Sequence, residues 1–166
     1  MDLIEVYVGE IRLDGKVDIT DPCYDKGTWC RMTTECEPGY YTGYAYISDE
    51  GEWGKRIAEL SIYKNDVKVE PDDMEFIDTI GVDAGLAGFF RDKPDYGEGW
   101  MDFLVESGVF KNKEKYDYDK NTYAIDYGIF SESGYGDGCY AVYANETRSA
   151  FTIVFIEDEE DEEVDE

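Results

Sequence analysis

The stretch Ile129–Ile156, IFSESGYGDGCYAVYANETRSAFTIVFI, decides the fold class. It holds three short runs of alternating apolar residues, separated by Ser133-Gly134-Tyr135-Gly136-Asp137-Gly138 and by Asn145-Glu146-Thr147-Arg148. Strand-length runs between clusters of turn residues read as antiparallel strands, so the stretch is predicted to form a three-stranded meander. Gly134, Gly136 and Gly138 flank one carboxylate, Asp137. Residues without a Cβ take positive φ or let another backbone or a ligand approach closely, which makes Asp137 a candidate site residue.

Outward from this stretch the same alternation recurs. Tyr123–Phe130 enters the sheet just before it. At the N-terminus, Leu3, Ile4, Val6 and Val8 begin a strand, and Ile11-Arg12-Leu13 faces Val17-Asp18-Ile19 across Asp14-Gly15, a strong hairpin signal. Pro22 cannot donate to a ladder and closes that run. Tyr40–Ile47 and Lys55–Tyr63 pair as strands around Asp49-Glu50-Gly51-Glu52. Trp29–Cys36 reads equally as strand or loop. Phe76–Asp83 is a mostly apolar strand that delivers Asp83 to a turn at Ala84-Gly85. Trp100, Phe103 and Leu104 stand at i, i+3 and i+4, a helical stripe for which Gly108 supplies a C-terminal cap. Lys111–Asn121 alternates bases with acids and reads as a solvated loop. The expected architecture is mainly β: an antiparallel sandwich or partly closed barrel with one or two short helices, α+β being the alternative. One globular domain spans residues 1–156, followed by a disordered acidic tail over 157–166.

A chain of 166 residues buries roughly 70% of its unfolded surface, enough for a real core. With 42% apolar residues and 15 tyrosines, it is no disordered polyelectrolyte. The start, Met1-Asp2-Leu3-Ile4-Glu5, is acidic where a secretory leader is cationic, and no apolar run approaches the ~18 residues of a bilayer span. A soluble protein of the bacterial cytoplasm is expected.

The net charge is −26; Glu157–Glu166 contributes 9 acids and no base, which leaves −17 on residues 1–156. Such a chain repels nucleic acid and anionic membranes and steers basic proteins or divalent cations toward itself. Lys111, Lys113, Lys115 and Lys120 form the most basic segment, but Glu114, Asp117 and Asp119 nearly cancel it, so direct nucleic-acid binding is not expected. The chain has no histidine, which removes Ser-His and Cys-His nucleophile pairs and the commonest general base. The glycine pattern at 134, 136 and 138 lacks dinucleotide-binding spacing and leads into a strand rather than a helix. Cys23, Cys30, Cys36 and Cys139 are too widely spaced for a structural zinc site, and free, mostly buried thiols are expected. Tyrosines 24, 40, 41, 44, 46, 135, 140 and 143 suit either sheet packing or an interface.

Asp21-Pro22-Cys23-Tyr24, Val82-Asp83-Ala84-Gly85 and the Ser133–Gly138 motif with Tyr140 and Tyr143 beyond it, in that order, resemble a domain-of-unknown-function family of bacteria and phages. The resemblance spans most of the body and leaves out the tail and much of the middle. Where that family has a polar residue after the second motif, this chain has Leu86 and Ala87. The resemblance implies that Asp21, Asp83 and Asp137 are motif carboxylates that converge. Carboxylates beside glycines can hold Mg²⁺ or Ca²⁺, which want several oxygen ligands. The same residues can equally bond turn amides as Asx-turns.

Two functional classes follow. The first is a non-enzymatic acidic binder that occupies the nucleic-acid groove of a basic partner such as a CRISPR or restriction nuclease, as phage DNA-mimic inhibitors do. Its candidate surface is the two acidic turns, Asp49, Glu50 and Glu52, and Asp72, Asp73 and Glu75. The second is a metal-dependent enzyme or metal-regulated domain built on Asp21, Asp83 and Asp137. Size favours the first. A body of this length has a radius of gyration of about 15 Å and a diameter near ~39 Å. Duplex DNA of that length presents about 23 phosphates, a number bracketed by the body's −17 and the chain's −26.

Overall fold

The computed structural model describes residues 2–28, 30–109 and 121–157. Eleven strands form two antiparallel sheets packed face to face, as the sequence predicts, and neither sheet closes into a barrel. The six-stranded sheet is ordered β1 (Leu3–Leu13), β4 (Gly39–Asp49), β5 (Lys55–Lys64), β11 (Ala150–Val154), β10 (Gly138–Ala144), β6 (Glu75–Val82). The five-stranded sheet is ordered β3 (Met32–Glu35), β2 (Lys16–Thr20), β7 (Leu86–Phe90), β9 (Gly128–Glu132), β8 (Thr122–Ile125). Trp29–Cys36 thus contributes a strand, β3, at its C-terminal end. No helix among the described residues is long and apolar enough to cross a membrane. Lys111–Lys120 and the tail beyond Glu157 lie outside the described residues.

Alternation builds the core. Ile11 and Leu13 from β1, Ile47 from β4, Leu60 and Ile62 from β5, and Phe151 and Ile153 from β11 turn inward. They meet Val17 and Ile19 of β2, Phe89 of β7 and Ile129 of β9 from the opposite sheet. At roughly 25 cal/mol per Å² of apolar surface, these interdigitated side chains supply the main stabilising term. β4 and β5 form the expected hairpin, registering Asp49 with Lys55 and Tyr41 with Lys64.

Two expected pairings do not form. β1 pairs with β4, whereas β2 pairs with β3 and β7, so Asp14-Gly15 is a corner between sheets rather than a hairpin turn. Gly15 sits at φ +114°, where a side chain is strained. The Ile129–Ile156 meander also divides. β10 and β11 are a hairpin of the six-stranded sheet, while β9 lies between β7 and β8 in the other. The Ser133–Asp137 loop crosses between the sheets, anchored where the Ser133 amide donates to the Gly85 carbonyl at 3.1 Å.

The helix stands where the stripe places it. α1 (Trp100–Glu106) buries Phe103 and Leu104 against the outer face of the five-stranded sheet, and Gly108 at φ +88° follows its last turn. Phe103 packs on Phe130 with ring centroids 5.5 Å apart, and Phe130 stacks on Phe90 at 5.8 Å. One sheet is therefore covered on both faces. Among the described residues no helix covers the outer face of the other.

Candidate functional site

The first motif folds into a staple. Asp21 is fully buried at the end of β2. Its Oδ1 accepts the Cys23 amide at 2.9 Å, and its Oδ2 accepts the amides of Asp83 and Ala84 at 2.8 and 2.6 Å. Burial raises its pKa, and the three amides act in the opposite direction by bonding the charged form. The second motif meets the third through backbone: the Gly85 carbonyl takes the Ser133 amide, and a Cβ built on Gly85 would stand 4.0 Å from Gly136 Cα. The three motifs converge as loops. Their side chains differ in role, since Asp83 and Asp137 are exposed while Asp21 is committed to turn amides, as the Asx-turn reading holds. Among the described residues no group of three or more His, Cys, Asp or Glu is arranged to hold a metal ion. Mg²⁺ or Ca²⁺ at Asp21 would compete with the three backbone donors for the same two oxygens.

All four cysteines are free; Cys36 is buried, Cys23 and Cys30 are half-buried, and Cys139 is exposed. Burial, then the neighbouring Asp21 carboxylate, pushes the Cys23 thiol up to about 12, so it stays protonated and unreactive near neutral pH.

The two acidic turns lie on the connections that precede and follow β5. Asp49 and Glu52 are exposed at the β4–β5 turn. Glu50 is held, its Oε2 accepting Ser48 Oγ at 2.6 Å and its Oε1 accepting the Tyr135 hydroxyl at 2.8 Å. On the connection from β5 to β6, Asp72, Asp73 and Glu75 are exposed, and Asp73 caps its own 3-10 turn by accepting the Glu70 amide at 2.9 Å. Only Asp18, Asp21, Glu50 and Glu59 among the described acids are not exposed.

Beside the second turn lies the outer face of the six-stranded sheet. Antiparallel register aligns Glu5, Tyr46, Glu59 and Val154 in one row across β1, β4, β5 and β11. The next row is Tyr7, Tyr44, Ser61, Thr152, Tyr143 and Phe76. Tyr7 meets Tyr44 edge-on at 6.2 Å, and Phe76 meets Tyr143 likewise at 6.0 Å. The β5–β6 connection folds over part of this face and leaves a groove of about 550 Å³, with Glu70 and Met74 on one wall and Tyr46, Glu59, Tyr63 and Tyr143 on the sheet. The Tyr46 and Tyr63 hydroxyls bond at 3.2 Å. Glu59 is half-buried, and burial raises its pKa.

The tyrosines divide accordingly. Tyr41 is a core residue whose hydroxyl donates to the Glu37 carbonyl at 2.6 Å. Tyr44, Tyr46 and Tyr143 belong to the outer face, as does the exposed Tyr40 at the start of β4, and Tyr135 is exposed on the Ser133–Asp137 loop. Sequence reasoning did not single out Glu59. Its signal is a lone acid at an outward position of the alternating run Lys55–Lys64. Sequence reasoning also missed a buried ionic group. Arg31 Nη2 lies 3.0 Å from Asp18 Oδ2, which also accepts the Lys93 amide at 2.9 Å.

Fold and surface together define an antiparallel β-sandwich with one helix-covered face and one open aromatic face bordered by acids. No family model, no curated protein and no solved structure matches the chain.

Proposed function

We propose that this chain is an acidic, non-enzymatic binding protein that occupies the nucleic-acid groove of a basic partner, a bacterial defence nuclease being the kind of protein it fits. The observation that carries this reading is the placement of charge. Nearly all described acids are exposed on a two-sheet scaffold, so they are held in fixed geometry. The connection that carries Asp72, Asp73 and Glu75 folds back against Leu3, Tyr46 and Glu59, and Leu3 registers with Ser48 beside the first acidic turn, so both turns border one face of the sandwich. The aromatic residues of that face supply the amphipathic contact area that protein interfaces favour.

Electrostatic steering gives the test. Association with a candidate nuclease, followed by stopped-flow fluorescence, should slow by about tenfold or more between low and high salt while dissociation changes little. An association rate insensitive to salt would count against the proposal.

A further inference from the structure

We infer that the groove on the outer face of the six-stranded sheet is a socket for an arginine side chain of the partner, with Glu59 taking the guanidinium and Tyr46, Tyr63 and Tyr143 lining it. The inference rests on the acidic-binder reading and names the point at which that partner would be gripped.

The argument starts from an imbalance. Glu59 is half-buried on β5, between Tyr46 and Val154 in register, and among the described residues it accepts no hydrogen bond and joins no ion pair. A carboxylate that is partly screened from water and has no cation beside it gains from a cation that enters the groove. The neighbouring hydroxyls pair with one another, Tyr46 with Tyr63 at 3.2 Å and Ser61 with Thr152 at 2.7 Å, which leaves one O–H donor in each pair and no positive charge beside Glu59. The bases nearby are engaged elsewhere. Lys68, on the connection over the groove, is 3.6 Å from Glu70, and its side chain is 90% exposed. Arg56 donates to the Trp53 and Gly134 carbonyls and sits 4.7 Å over the Tyr135 ring. The groove is therefore one cation short, and at about 550 Å³ it has room for a long side chain entering from solvent.

Arginine fits better than lysine. Its planar fork bonds a carboxylate through two parallel N–H groups and its face stacks on aromatic rings, whereas an ammonium is a compact, strongly hydrated point charge. Arginine against tyrosine is also the pairing that most often dominates protein interfaces.

The test compares hexa-arginine and hexa-lysine peptides as probes, titrated against the full chain at ~0.15 M salt, where long-range attraction is damped. The wild type should bind hexa-arginine at least about fivefold more tightly than hexa-lysine. Glu59→Gln, nearly isosteric, should weaken hexa-arginine by about tenfold and abolish the preference, yet melt at a higher temperature because an uncompensated charge has been removed. Asp102→Asn on the exposed side of α1 removes one charge remote from the groove and should change binding less than about twofold. Tyr63→Leu keeps the carboxylate and removes a ring; it should weaken hexa-arginine and leave hexa-lysine nearly unchanged. Equal affinity for the two peptides, with equal losses from Glu59→Gln and Asp102→Asn, would overturn the socket and leave the acidic-binder reading standing. No binding of either peptide by the wild type would overturn both.

Discussion

Replacing Asp21 by alanine should be among the most damaging single changes outside the apolar core. The three partners of its side chain are the amides of Cys23, Asp83 and Ala84, at 2.6–2.9 Å. Hydrogen bonds to a charged group contribute about 1.5–3 kcal/mol each, and a buried donor left unsatisfied costs about 1–3 kcal/mol. Removing the carboxylate also recovers its desolvation penalty, so the three losses do not simply add. A net loss of roughly 3–5 kcal/mol is expected, about a fifth or more of the ~5–15 kcal/mol of a typical domain. For a chain of this size that lowers Tm by roughly 10–15 °C. Asp21→Asn should also destabilise but by less, since its amide can keep its oxygen toward the Asp83 and Ala84 donors and turns its NH₂ only against the Cys23 amide. The assay is urea denaturation followed by tyrosine fluorescence, with and without Mg²⁺ or Ca²⁺. A loss below about 1 kcal/mol would refute the staple. Wild type stabilised by either cation, with Asp21→Asn abolishing the gain, would restore the metal-site reading.

Gly88→Ala should be comparably harmful for a different reason. A Cβ there would overlap the Ile129 carbonyl oxygen and lie 2.5 Å from Phe130 Cα, so β7 and β9 would have to separate. Overpacking costs about 1–3 kcal/mol and more when backbone must move, so a urea midpoint within ~1 kcal/mol of wild type would show that the strands yield. Lys93 gives a pH signature: it is fully enclosed, and burial, then the nearby Arg31, lowers its pKa to about 8. The unfolded chain binds that proton more tightly, so the penalty is fully present below pH 8 and is relieved as pH rises toward the unfolded value. Stability relative to Lys93→Met should therefore rise by about 1 kcal/mol between pH 7 and pH 9. Taking the difference cancels the opposing effect of Cys23, whose raised pKa costs stability above about pH 9; a flat difference would mean that Lys93 is not depressed.

What the sequence discloses follows from what alternation encodes. Period-two runs located most strands, and the β4–β5 hairpin was legible because its alternation is interrupted by one acidic turn. Alternation does not say whether consecutive strands lie side by side or face each other across a sandwich, because both place Ile11, Leu13, Val17 and Ile19 inward. That is why Asp14-Gly15 and the Ser133–Asp137 loop read as hairpin turns yet serve as crossings between sheets. The helix was legible from Trp100, Phe103 and Leu104 alone, since three residues on one face suffice to fix its period. Asp21 was marked by its motif, but its role depends on amides 62 and 63 residues away, which no local pattern reveals. Glu59 becomes distinctive only once register sets it between Tyr46 and Val154 without a base.

The most direct test of the acidic-binder account is a competition titration of the full chain against labelled duplex DNA on a candidate basic nuclease. The wild type should displace the duplex. Reversing Asp49, Glu52, Asp72 and Glu75 to lysine spares Glu50 and Asp73, which hold their own turns, and should weaken displacement by about tenfold or more. Deleting Glu157–Glu166 should weaken it less, because acids on the sheet scaffold act at fixed positions. Protein and duplex bound to the nuclease together, without mutual displacement, would contradict the account even if the nuclease were inhibited.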